Sequence, residues 1–215
     1  KLVRMAFLAI VGSFSVNGVA ELHSRLLKQG LFSDFADLWP TKFNNKTNGV
    51  TQRRWLAACN PGLADLVSSH IGSGWVTELD QLEQLRPLAD DGDFQAEWHA
   101  VKQANKVRLA ANINNKTGLV VDPEMLFDVQ VKRIHEYKRQ LLNVLHAIHL
   151  YDRIQRGDGD LLPPRAIIIG GKAAPGYEMA KNIIKLINNV AEVINTDPAM
   201  KGRLQLIFYP DYNVS

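Results

Sequence analysis

The sequence predicts an α/β fold built on an open, mostly parallel sheet, and three observations lead to it. Between residues 127 and 208, short apolar runs alternate with longer segments of helical periodicity, in the order strand, helix, strand, helix, strand. Ala166-Ile167-Ile168-Ile169 is apolar without alternation, as a strand covered on both faces should be. The segments that follow the strands carry glycine and cations, the chemistry found where such sheets bind ligands.

Taken in order, residues 1–48 read as helical. Leu2 to Val11 is apolar but too short to span a bilayer, and Lys1, Arg4 and Gly12-Ser13 interrupt it. No small-residue cleavage pattern marks it as a signal peptide. A helical run over 18–27 ends at Gly30, and a polar junction follows from Pro40 to Gly49, where Asn48-Gly49 signals a turn. Residues 52–120 alternate helical patterns with short loops; 96–112 is the clearest helix and 80–85 a shorter one ahead of Pro87. The last third then reads as a strand at 127–131 and a helix at 136–156, with Leu141, Leu142, Leu145, Ile148 and Tyr151 at helical spacing. Gly157 to Asp160 and Pro163-Pro164 form a loop, 166–169 a second strand, 177–195 a second helix and 204–208 a third strand. No internal repeat or low-complexity tract is visible.

Bulk properties narrow the class. The 215 residues suffice for one sizeable domain and part of another, and 46% hydrophobic with 22% charged residues describes a soluble globular chain. A net charge of +3 is too small to imply nucleic acid without a concentrated basic face. The single cysteine, Cys59, rules out an internal disulfide and fits a reducing, cytoplasmic compartment. Its place in Trp55-Leu56-Ala57-Ala58-Cys59 predicts a buried structural thiol. The chain lacks an initial Met and stops just past an apolar strand, so it is expected to be a piece of a longer polypeptide.

The most informative stretch is Lys132-Arg133-Ile134-His135-Glu136-Tyr137-Lys138-Arg139, which puts four cations where a strand gives way to a helix. A helix start adds unpaired N–H groups and the positive end of its dipole, so the combination suits phosphate. The competing reading leaves Lys138 and Arg139 on the solvated face of a helix. Right-handed crossovers would bring three strand ends to one edge: Lys132-Arg133, Gly170 to Gly176, and Pro210 to Asn213. Together they would present ammonium, guanidinium, glycine N–H and phenol groups to one crevice.

Familiar alternatives fail on pattern. Gly170-Gly171-Lys172 belongs neither to a G-x-x-x-x-G-K-[ST] loop nor to a G-x-G-x-x-G fingerprint. Its glycines could equally serve a tight turn, with Lys172 solvated. The six histidines, His23, His70, His99, His135, His146 and His149, show no metal spacing, so no metal is expected. No serine sits in a nucleophile elbow, and Trp39, Trp55, Trp75 and Trp98 read as packing residues, not a base-stacking platform.

Four segments carry a resemblance: FDVQVKRIHEYKRQLL at 127–142, GGKAAPGY at 170–177, NKTNGVTQRRW at 45–55 and VNGV at 16–19. The chain resembles the α-glucan phosphorylases, which include glycogen, starch and maltodextrin phosphorylases, in register through its whole length. The resemblance implies phosphorolysis. Glucose is removed from the non-reducing end of an α-1,4-glucan by orthophosphate, giving glucose 1-phosphate with retained configuration. Pyridoxal 5'-phosphate takes part through its phosphate group. The implied architecture is of GT-B type, two Rossmann-like domains across a cleft, in a homodimeric cytoplasmic protein. Residues 1–48 would close the amino-terminal domain and 49–215 would open the carboxy-terminal one.

Carried over by position, the resemblance assigns Arg133 and Lys138 to the substrate phosphate, with Tyr137 beside them. Lys132 and Tyr212 match residues around the cofactor phosphate, and Trp55 an aromatic residue against the cofactor. Asn48 matches a hydrogen-bond partner of the glucose 6-hydroxyl, and Val19 lines the sugar. His135 and Tyr177 match a cleft-entrance site where animal relatives bind aromatic inhibitors. Gln52 departs from the family, standing where many relatives have proline. The lysine that holds the cofactor covalently belongs to an E-x-S-G-T-G-N-M-K segment not present here, so this chain alone is expected to be inactive. Two other readings compete: a non-catalytic module binding phosphate or glucan, were the natural chain to end at Ser215, and a nucleotide-sugar glycosyltransferase of the same architecture.

Overall fold

A computed structural model describes residues 3–212. The chain divides into two compact units, Lys1–Glu83 and Gln84–Ser215. The division falls downstream of the polar junction at 48/49.

The first unit carries helices α1 (Met5–Gly12), α2 (Glu21–Leu26), α3 (Ser33–Leu38) and α4 (Pro61–Ile71). It is not purely helical. Two strands, β1 (Val16–Gly18) and β2 (Phe43–Asn45), pair in parallel with Asn17 opposite Asn44. Three residues are too few to show alternation, which is why the sequence reads as helix and loop there. Ile10, Phe43, Leu63, Leu66, Val67 and a fully buried Trp75 are the unit's buried apolar residues, and the Trp75 Nε1–H donates to Ser68 Oγ at 3.1 Å. Cys59 is exposed, against the expectation of a buried thiol. It ends a wide helical turn, Arg53–Ala58, whose Trp55 is also exposed, so the apolar run there does not face the interior.

The second unit holds the parallel sheet. Helix α5 (Gly92–Thr117) precedes β3 (Leu126–Val131), α6 (Gln140–Gln155), β4 (Arg165–Gly170), α7 (Glu178–Thr196) and β5 (Leu204–Tyr209). The strand order is β3-β4-β5, all parallel, with Asp128, Ile167 and Leu206 in one register row. The alternation of β4 sorts its side chains onto two faces. Ile167 and Ile169 pack with Val144, Ala147 and Leu150 of α6 and Ile183 and Ile187 of α7. Ala166 and Ile168 pack on the opposite face with Ala110 and Ile113 of α5, Val121 and Met125. The sheet therefore lies between α6 and α7 on one side and α5 on the other, which accounts for the unbroken apolar run of β4.

The bounds of two helices, the type of one short helical segment and the buried face of one helix differ from expectation. Helix α5 is longer at both ends, because Asp91 accepts from the Phe94 N–H at 2.9 Å and Gly118 turns the chain left-handed at φ 75°. The segment expected as a short helix at 80–85 is a 3₁₀ stretch, Leu79–Asp90, with Pro87 inside it. Proline has no N–H and cannot extend an α-helical ladder. Helix α6 begins at Gln140 and not at 136, because Arg139 adopts a left-handed conformation at φ 61°. On α6 the buried side is Gln140, Val144, Ala147, Leu150 and Ile154, whereas Leu141, Leu142, Leu145 and Ile148 are exposed. With apolar residues around most of this helix, periodicity alone cannot choose between its faces.

Candidate functional site

The cationic segment is built by extending β3 past its last residue. The Lys132 N–H donates to the Gly170 carbonyl at 3.0 Å, and the Ile134 N–H to the Lys172 carbonyl at 3.1 Å. The two backbones thus run side by side beyond the sheet proper. Gly171 makes this possible: a Cβ there would stand 2.1 Å from the Lys132 carbonyl oxygen. The glycine therefore serves a close approach between backbones. Ile134, with 2% of its surface exposed, pins the segment into the core.

After Ile134 the chain makes a short 3₁₀ turn, Glu136–Lys138, opened by His135, whose Nδ1 accepts from the Tyr137 N–H at 3.4 Å. The Lys138 and Arg139 N–H groups donate to His135 and Glu136 carbonyls within this turn. They are therefore not free helix-start donors. Two glutamines fasten the segment from outside the turn. The fully buried Gln140 donates from Nε2 to the Arg133 carbonyl at 3.2 Å and accepts the His135 N–H at 3.4 Å. Gln130 donates from Nε2 to the Lys138 carbonyl at 3.1 Å, and its own Oε1 accepts from Asn143 at 3.0 Å.

A cavity of about 620 Å³ opens at this carboxyl edge of the sheet, lined by Arg133, His135, Lys172, Pro175, Tyr177 and Tyr212 among others. Four of the residues singled out from sequence, Arg133, His135, Tyr177 and Tyr212, share it. Lys132, Tyr137 and Lys138 do not line it; the Lys138 ammonium stands 5.6 Å from the centroid of the exposed Tyr137 ring. Lys172, open to either reading at sequence level, does line it. His135 lies between two phenols, with ring centroids 4.5 Å from Tyr137 and 5.0 Å from Tyr177. The Tyr177 hydroxyl donates to the Glu136 carboxylate and accepts the Glu136 N–H. That carboxylate holds the Tyr177 phenol above its ordinary pKa.

The donor set fits an anion. A guanidinium offers a planar fork to phosphate oxygens, an ammonium adds a compact charge and a phenol a neutral donor. Arg133, Lys172 and Tyr212 are such a set, so the lining of the cavity has the donor chemistry that suits a phosphate group. Among the described residues no cluster of His, Cys, Asp and Glu could hold a metal ion.

In the first unit, Val19 and Asn48 are neighbours. Beyond the β1–β2 pair the Lys46 N–H donates to the Gly18 carbonyl and the Asn48 N–H to the Val19 carbonyl, each at 3.0 Å. Gly18 is required for this: a Cβ would lie 2.6 Å from the Ser24 backbone nitrogen. Buried Ser24 donates to Asn45 Oδ1 at 2.7 Å and so locks the pair to α2. Both Val19 and Asn48 are exposed, as is Trp55. Gln52, the residue that departs from the family pattern, donates to the Val76 carbonyl at 3.1 Å.

Sequence reasoning passed over Gln140 and Gln130. The available signal was Gln140 itself: a carboxamide four and seven residues before Val144 and Ala147, in line with a buried apolar stripe.

Comparison with known proteins supplies the remaining observation. The carbohydrate phosphorylase family matches residues 1–215. The chain is 58% identical over 214 residues to a glycogen phosphorylase of Synechocystis. It is 53% identical over 215 residues to the muscle-form glycogen phosphorylase of Mus musculus and 52% identical to that of Homo sapiens. Each alignment covers 100% of this chain but only 25–26% of the relative, so the chain spans about a quarter of the length of the curated relatives it matches.

Proposed function

The chain belongs to the carbohydrate phosphorylase family, and from that we propose that it supplies the phosphate-handling portion of a glucan phosphorylase. The reaction is removal of the terminal α-1,4-linked glucose of a glycogen or maltodextrin chain by orthophosphate, yielding glucose 1-phosphate with retention. The observation that supports this reading best is the cavity at the carboxyl edge of the sheet, lined by Arg133, Lys172 and Tyr212, in a chain that the family matches over residues 1–215.

Charge decides what these residues do. Two unit negative charges about 4 Å apart repel by about 4 kcal/mol at an effective dielectric near 20. A substrate phosphate beside a second phosphate therefore needs cations set in place beforehand. Arg133 grips the substrate phosphate with paired N–H donors, and Lys138 contributes a mobile point charge from the adjoining turn, with Tyr137 beside it. Positive charge fixed before the reaction stabilises negative charge on the attacking phosphate next to an oxocarbenium-like sugar. Lys132, Tyr212 and Trp55 would hold pyridoxal 5'-phosphate, which supplies when bound a phosphate group able to exchange a proton with the substrate phosphate. Asn48 orients the sugar through its 6-hydroxyl while Val19 forms its apolar wall. His135 and Tyr177 would form an aromatic entrance able to take a planar inhibitor.

The same reading extends to the whole protein: a two-domain GT-B architecture, with residues 1–48 completing one Rossmann-like domain and 49–215 beginning the other, a homodimer, and a cytoplasmic location. Incubating the full-length protein with pyridoxal phosphate, orthophosphate and maltoheptaose should release glucose 1-phosphate. Absence of that product, with the protein folded and loaded, would contradict the reading.

A further inference from the structure

Strand β3 is an edge strand among the described residues, paired only with β4. Backbone groups along an extended segment point alternately to its two sides. The Lys132 and Ile134 N–H groups turn towards the 170–172 segment and are satisfied there. The Arg133 carbonyl and His135 N–H point the other way, where no strand pairs with them. Gln140 fills that place. Its carboxamide donates to the first group at 3.2 Å and accepts from the second at 3.4 Å, as the backbone of a neighbouring strand would. It is also fully buried, on a helix face otherwise made of Val144, Ala147 and Leu150.

We infer that Gln140 is a positioning residue for the phosphate site, a side-chain clamp that holds the backbone of Arg133 and thereby aims its guanidinium into the cavity. A buried amide on an apolar face is unfavourable unless both of its polar ends are bonded, and here the bonds go to the residue bearing the guanidinium and to the next but one. Gln130 closes the other end through the Lys138 carbonyl, so the two amides bracket the segment from Arg133 to Lys138. Helix α6 and the end of strand β3 thus fix the backbone of both cations, although neither glutamine lines the cavity. Displacements well under an ångström at an anion-binding fork weaken it steeply, because paired donors must meet two oxygens at once.

The inference rests on the phosphorolysis reading, and its test separates the two. Gln140→Met keeps length and packing but removes both hydrogen bonds. In the full-length protein it should raise KM for orthophosphate about tenfold while KM for maltoheptaose stays within about twofold. Gln130→Met, at the half-buried end of the clamp, should move the same parameter in the same direction. Orthophosphate affinity is measured on the same proteins by calorimetry, independently of turnover. Unchanged phosphate KM and affinity in a folded Gln140→Met protein would overturn the clamp, as would equal losses for phosphate and glucan. A parent protein that binds orthophosphate but releases no glucose 1-phosphate would remove the reaction, and the clamp would then stand or fall on the change in affinity. A parent that does not bind orthophosphate overturns both.

Discussion

Arg133 and Lys138 sit in one eight-residue stretch yet are held differently. Arg133 lines the cavity, while Lys138 lies in the 3₁₀ turn with its ammonium over the Tyr137 ring. Charge-assisted hydrogen bonds are worth about 1.5–3 kcal/mol each. In the full-length protein, Arg133→Ala should therefore raise KM for orthophosphate by roughly 10- to 100-fold, with Lys138→Ala showing a smaller rise. Steady-state kinetics with phosphate and maltoheptaose varied separately checks this; parallel loss of both substrates would argue against the assigned roles. The cationic stretch and the GGKAAPGY segment were legible in sequence because charge and glycine cluster there. Gly171 was legible only as a glycine. Its actual reason, a neighbouring backbone 2.1 Å from where its Cβ would be, depends on a residue about forty positions away that no local pattern records. Cys59 shows the opposite failure, an apolar neighbourhood in sequence that lies on the surface.

Among the elements, strand β4 and helix α7 were readable and α6 was readable only in part. Helix α7 buries Ala180, Ile183, Ile187, Ala191 and Ile194 at clean helical spacing, so its inner face is unambiguous. Helix α6 carries leucines on both sides, and its inner face is settled by the sheet it meets. Its start is settled by Arg139, a non-glycine residue in the left-handed region, which sequence offers no reason to expect. Strand β5 has a device of its own: Asn195, on α7, accepts the Leu206 N–H at 3.1 Å and donates to the Leu206 carbonyl at 2.8 Å. Like Gln140, it bonds the backbone groups on the side of an edge strand that no other strand pairs with among the described residues. Asn195→Ala should cost about 1–3 kcal/mol by leaving these two backbone groups of a buried residue without partners. Denaturant unfolding of the full-length protein measures this cost. A loss of only a few tenths would mean that solvent or a neighbouring segment replaces the amide.

For the molecule as a whole, the parallel β-α-β-α-β order of the second unit was legible because short apolar runs alternate there with longer segments of helical periodicity. The short parallel pair in the first unit was not, since it spans three residues on each strand. Among the described residues no helix is long and apolar enough to cross a membrane. The central claim is that the carboxyl edge of the parallel sheet, at Arg133, receives orthophosphate. Locating bound orthophosphate crystallographically in the full-length protein tests it most directly. The account predicts phosphate density within hydrogen-bonding distance of the Arg133 guanidinium, in the cavity shared with Lys172 and Tyr212. Ordered phosphate bound elsewhere, with this guanidinium turned to solvent, would contradict it.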